Sequence, residues 1–222
     1  MPNKYIILIT IPILLGGAYL LNKYQRKKSY STVIILNGPS AAGKSSIQKE
    51  FQTLMMPSLW IKLGIDNLFD NPMPEITSQN LSYWQSANPI RWIETTKDND
   101  NNPVITLFVG DHGEKVAYGM NSAIAAYAQN GCNCIVDYIA YKKEWLADLQ
   151  NKLQHYNTIW VKVQAPITTL EERETARRTS PQGHARSHYE TVFWDISYDL
   201  IANTDNESAA EIAHRIKQFM LL

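Results

Sequence analysis

Charge of one sign is missing from this chain. Its 21 Lys and Arg residues balance 21 Asp and Glu residues, so no charge excess advertises a nucleic acid or an acidic surface as partner, and any phosphate recognition must be local. Cysteine is scarce as well. The two present, Cys132 and Cys134, flank Asn133 in a strand-like stretch that turns both to one face, and no further Cys or His cluster completes a zinc set. Two buried free thiols are expected. Internal repeats and low-complexity tracts are absent. With 222 residues, 45% of them hydrophobic, one well-buried domain is the working expectation.

One long run without charge does occur, "YIILITIPILLGGAYLL", Tyr5 to Leu21. A bilayer-spanning helix needs about 20 apolar residues, so the run is marginal but sufficient. Lys23, Arg26, Lys27 and Lys28 follow it and only Lys4 precedes it, which predicts membrane anchoring through residues 5–21 with the following domain in the cytoplasm. The competing expectation is a cleaved signal peptide and an exported protein, with Gly16 to Ala18 as the small-residue cleavage site. The expected organisation is an anchor or signal segment with a basic flank over 1–30 and a catalytic domain over 31–222.

From Ser31 onward apolar runs alternate with helix-period segments, the pattern of a parallel sheet with crossover helices. Strands are expected at Thr32–Asn37, near Leu59–Gly64, at Cys132–Asp137, Thr158–Val163 and Asp199–Ala202. Helices are expected at Lys44–Leu54, Gly113–Gln129, Lys143–His155, Ile167–Arg178 and Ser208–Met220. Pro166 suits a first helical turn, and "SAAE" from Ser208 fits a capping box. Ile90 to Gly110 places two strand-like runs around an Asp/Asn-rich turn, a hairpin inserted after the second strand, above the carboxyl edge of the sheet where ligands bind in this architecture.

The stretch "VIILNGPSAAGKSSIQKEF" from Val33 carries the chemistry. Gly38, Gly43, Lys44 and Ser45 fit G-x-x-x-x-G-K-[ST], with an apolar strand before and a helix-compatible run after. Glycines at both ends let the loop turn tightly, so the main chain from Gly38 through Pro39, Ser40, Ala41, Ala42 and Gly43 to Lys44, Ser45 and Ser46 is expected to cradle the phosphates of ATP. Lys44 is expected to reach the β- and γ-phosphates, and the Ser45 hydroxyl to ligate Mg²⁺. Ser46 is the alternative hydroxyl. Asp137, closing the run "CIVD", is placed to hold the Mg²⁺ shell, the competing reading being a strand-end cap.

From about Val33 to Ile216 the chain resembles the chloramphenicol phosphotransferases, small P-loop kinases that phosphorylate a hydroxyl of the antibiotic. The likeness is carried by "IILNGPSAAGKSSI", "WIKLGIDNLFDNPMP", "GCNCIVDYI", "EERETARR" and "YDLIANTDNESAAEIAHRI". It implies an α/β fold of the P-loop NTPase and kinase type, a parallel sheet flanked by helices with an inserted β-hairpin and an arginine-bearing lid, here preceded by an N-terminal hydrophobic helix. The resemblance implies Asp66 as the base for the acceptor hydroxyl, a role that suits an aspartate above the carboxyl edge near the γ-phosphate. A helix cap is the competing reading of Asp66, and Asp70 is the weaker candidate base. The resemblance also implies that arginines of the lid helix close over the ATP phosphates. Arg177 is the expected stabiliser of transition-state charge, with Arg173 and Arg186 behind it.

Three features depart from the family pattern. Tyr138 follows Asp137 where the family has a second aspartate, the lid is longer and carries His184 and His188, and the hairpin is rich in Asn and Asp. They fall where the acceptor should bind. Tyr83, Trp84 and Trp92 are candidate walls of an acceptor pocket, and His112 a further candidate. The expected function is ATP-dependent O-phosphotransfer to a small-molecule hydroxyl. The alternatives are a kinase of a nucleotide-sugar, as zeta-type toxins are, or of a macromolecular hydroxyl, and a membrane-tethered ATP-binding module without transferase activity.

Overall fold

The chain divides into two units, residues 1–30 and 31–222. The structure, a computed structural model, describes the second apart from residues 71, 178–180 and 222. Strand β1 (Thr32–Asn37) is an apolar run because it is buried on both sides. Val33 and Ile35 enter one hydrophobic layer and Ile34 and Leu36 the other, as the two-residue period of a central strand requires. The next elements are α1 (Lys44–Met55) and β2 (Trp60–Gly64). A π-helical turn (Asp66–Asp70) and the short α2 (Leu81–Trp84) lead into the hairpin of β3 (Ile90–Lys97) and β4 (Pro103–Val109). After α3 (Asp111–Gln129) come β5 (Asn133–Tyr138), α4 (Lys143–Leu153) and β6 (Asn157–Gln164). The chain closes with α5 (Ile167–Arg177), α6 (His184–His188), β7 (Leu200–Asn203) and α7 (Ala209–Phe219).

The five sheet strands run parallel in the order β2-β5-β1-β6-β7. The carboxyl ends of β1, β2 and β5 therefore lie side by side, and the segments that follow them share one edge of the sheet. The expected strands and helices all occur, with ends displaced by at most two residues. The α7 capping box is present, Ser208 accepting from the Glu211 amide while Glu211 returns to the Ser208 amide. The hairpin is antiparallel, with a register shift between Ile93 and Thr96. Its Asp/Asn content has a local cause: Asp98 Oδ1 accepts the amides of Asp100 and Asn102 at 3.0 and 2.8 Å, closing the turn. Cys132 and Cys134 are free, and both join the layer that holds Val33 and Ile35.

The expectation of a membrane-anchored protein is corrected here. No helix among the described residues is long and apolar enough to cross a membrane. The segment that carried the expectation, residues 5–21, expected as an N-terminal hydrophobic helix, lies outside the described residues.

Candidate active site

The carboxyl edge of the sheet opens into a cleft of about 940 Å³. Its polar floor is the loop between β1 and α1. Gly38 is needed because a Cβ there would stand 2.1 Å from the Val163 carbonyl oxygen, and Gly43 because its φ of 86° is left-handed. Gly43 is the N-cap of α1, which has no side-chain cap and no acidic residue in its first turn. The amides of Gly43, Lys44 and Ser45 have no hydrogen-bond partner among the described residues. A helix start left this way concentrates donors and positive potential where an anion can take them up.

Lys44 lies across this loop. Its Nζ donates to the carbonyls of Gly38 and Pro39 at 2.9 and 2.7 Å and stands 3.4 Å from Asp137 Oδ1. Burial depresses the Lys44 pKa, opposed by the Asp137 charge. The Ser45 hydroxyl donates to Asp137 Oδ2 at 2.7 Å. Ser40 to Ser45 line the cleft together with Asp66, Asp137 and Arg177, whereas Gly38 and Pro39 contribute carbonyls to Lys44 and Ser46 continues the helix behind.

Asp66 opens the π-helical turn after β2, its side chain exposed to the cleft. Its pKa is raised, first by the surrounding protein and then by the Asp137 charge, with Lys44 and Arg177 opposing. Asp70 lines the cleft one turn on, and desolvation followed by the Asp66 charge pushes its pKa up to about 6. A carboxyl with a folded-state pKa raised above its ordinary value binds protons more tightly when folded, so stability falls as pH rises from about 4 to 6 and the penalty stays complete above that. Asp70→Asn is therefore expected to stabilise the protein at pH 7.5 and to change nothing near pH 4, in urea denaturation at the two pH values.

The arginines expected to form the lid divide. Arg177 lines the cleft and forms no salt bridge among the described residues. Arg173 is not in the cleft wall; its guanidinium donates to the Thr204 hydroxyl and carbonyl, both at 2.9 Å. Arg186, expected behind Arg177, pairs instead with Glu171 at 2.6 Å and Asp98 at 3.1 Å, tying α5 to the hairpin turn. Glu174, between the two helix arginines, is 3% exposed and accepts the amides of Gly183 and Ala185, both at 2.9 Å. It thereby fixes the start of α6. Glu174→Ala leaves two buried donors unmet, for an expected loss of about 2–4 kcal/mol in urea denaturation.

The aromatic candidates divide too. Trp84 and Trp92 line the cleft, while the Tyr83 hydroxyl bonds His112 Nδ1 at 3.1 Å and neither residue is in the wall. Sequence reasoning missed Tyr141, which lines the cleft and whose hydroxyl meets His184 Nε2 at 2.8 Å. It also missed the role of His188, whose Nε2 accepts the Ser40 amide at 3.1 Å and joins α6 to the loop. Tyr138, at the position of the family's second aspartate, is fully buried and donates to Asn121 Oδ1 at 3.1 Å.

A family model described as chloramphenicol phosphotransferase-like protein matches residues 31–221. Among curated proteins, a Mycobacterium tuberculosis protein provisionally named an O-phosphotransferase is 27% identical over 191 residues, spanning 84% of this chain and 80% of the relative. Among solved structures, the M. tuberculosis APS kinase superposes with a TM-score of 0.57 at 15% identity, covering 86% of this chain and 98% of that one. Shikimate kinase from Acinetobacter baumannii gives 0.52 at 12% identity, covering 87% and 94%. At such identities the structural likeness establishes the fold, that of the P-loop kinases.

Proposed function

Since the chain belongs to the chloramphenicol phosphotransferase-like family, we propose that it transfers the γ-phosphate of ATP to a hydroxyl of a small molecule bound in the same cleft. The observation that carries this reading is one floor with two walls. Three amides without a partner among the described residues, Gly43 to Ser45, share a single cleft with Lys44, Asp66 and Arg177. Apolar side chains including Phe69, Met73, Leu81, Trp84, Ile90 and Leu107 complete it. The first set suits phosphates and the second suits the body of an organic acceptor.

In this reading the loop from Ser40 to Ser45 takes the ATP phosphates and Lys44 balances their charge. Ser45 and Asp137 fit Mg²⁺ because they offer two adjacent oxygens and leave the remaining positions to water and phosphate, as that ion prefers. Among the described residues no cluster of three or more His, Cys, Asp or Glu side chains is arranged to hold a metal. When bound, the ion supplies neutralisation of phosphate charge. Asp66 orients the acceptor hydroxyl and takes its proton. Arg177 stabilises the charge of the group in transit.

The test is incubation of the full chain with γ-labelled ATP, Mg²⁺ and a panel of hydroxyl compounds that includes chloramphenicol, shikimate and gluconate, read by mass spectrometry. One panel member gaining a phosphoryl group is expected. ATP binding with no phosphorylated product across the panel would defeat the proposal.

A further inference from the structure

His184 is left with an unmet polar atom in the wall of the cleft. It is 8% exposed, its Nδ1 is buried and has no hydrogen-bond partner among the described residues, and the residue lines the cleft. Leaving such an atom unmet costs about 1–3 kcal/mol, so folding alone does not favour it. The neighbouring contacts fix what this atom offers. The Tyr141 hydroxyl is 2.8 Å from Nε2 and has no other partner among the described residues. If Nε2 carried the proton, both the tyrosine hydrogen and the Nδ1 lone pair would be unmet. If the tyrosine donates to Nε2, only one group is unmet, an Nδ1–H. The second arrangement is the cheaper one, and it makes Nδ1 a donor. Burial and the Lys44 and Arg177 charges push the His184 pKa down to about 3, which keeps the ring neutral.

The ring is held firmly. Tyr141 grips one nitrogen, and α6 is pinned at its start by Glu174 and later by the bond from the Ser40 amide to His188. The half-buried Trp92 indole, centred 4.1 Å from the imidazole, lines the cleft beside it. We propose that His184 is a specificity-determining contact of the transferase reaction, its Nδ1–H donating to an oxygen of the acceptor other than the hydroxyl that is phosphorylated. The acceptor class is then an alcohol carrying a second oxygen function that accepts this hydrogen bond. The inference rests on the transferase reading, and its failure is separable from that of the reading.

Two measurements decide it. In the full chain labelled with ¹⁵N-histidine, the His184 ring is expected as the neutral Nδ1–H form at pH 7; an Nε2–H form overturns the inference whatever the enzyme's activity. With the acceptor found in the panel, His184→Asn keeps a donor at the Nδ1 position and His184→Gln keeps only the Nε2 position. The Asn variant is expected to hold KM for the acceptor near wild type, and the Gln variant to raise it about tenfold, the equivalent of one hydrogen bond, with KM for ATP unchanged. A merely structural ring, serving Tyr141, gives the reverse order and sinks the proposal. Absence of product with every acceptor sinks the transferase reading itself, and this inference with it.

Discussion

Replacing Asp66 by Asn is expected to lower kcat for phosphoryl transfer by about 10²- to 10⁴-fold, the usual worth of a positioned proton acceptor, while ATP binding persists. The amide is close in size to the carboxylate and Asp66 is exposed to the cleft, so folding should be unaffected. In the proposed role the carboxylate is the form that accepts the proton, and its pKa is raised by desolvation and by the Asp137 charge. The acid limb of the wild-type pH profile should therefore lie above that of a free aspartate, and the Asn variant should lose it. Isothermal titration with ATP and steady-state kinetics across pH separate the two effects. Unchanged kcat in the variant would mean that the hydroxyl is oriented by another group, Asp70 being the adjacent carboxylate in the wall.

The second large effect falls on Arg177. Its substitution by Ala should reduce kcat by about 10³-fold, the lower range for an arginine that meets the transferring phosphoryl group, with a smaller change in KM for ATP. The reason is its isolation: it lines the cleft, and no carboxylate among the described residues forms a salt bridge with it. Arg173→Ala should instead act on stability, because its guanidinium is engaged by Thr204. If Arg173→Ala lowers kcat as strongly as Arg177→Ala, the division of the two arginines is wrong.

Those two arginines show where sequence reading reached and where it stopped. Their four-residue spacing on α5 placed them on one face, as helix geometry demands. A long side chain can lean either way from that face, and the choice is made by Thr204, which arrives from the end of β7 and which no local pattern reveals. That Asp137 and Ser45 meet was legible because a strand end and a loop motif each occupy a short contiguous stretch. Glu174 was not, since its burial comes with the amides of Gly183 and Ala185 at the start of α6, which donate to it. The hairpin was legible from its turn, where Asp98 closes the loop on its own neighbours. The grouping of Trp92, Tyr141, His184 and His188 was not, because β3, the segment after β5, and α6 meet only in the folded chain.

The account stands on the terminal phosphate of ATP lying at the loop between β1 and α1 within reach of the Asp66 carboxylate. A crystal structure of the full chain with Mg²⁺ and a non-hydrolysable ATP analogue tests this most directly. The γ-phosphorus is predicted above the amides of Gly43 to Ser45, with Asp66 and Arg177 on the acceptor side of it. A nucleotide bound with its γ-phosphate turned away from Asp66, or bound outside this cleft, would contradict the account.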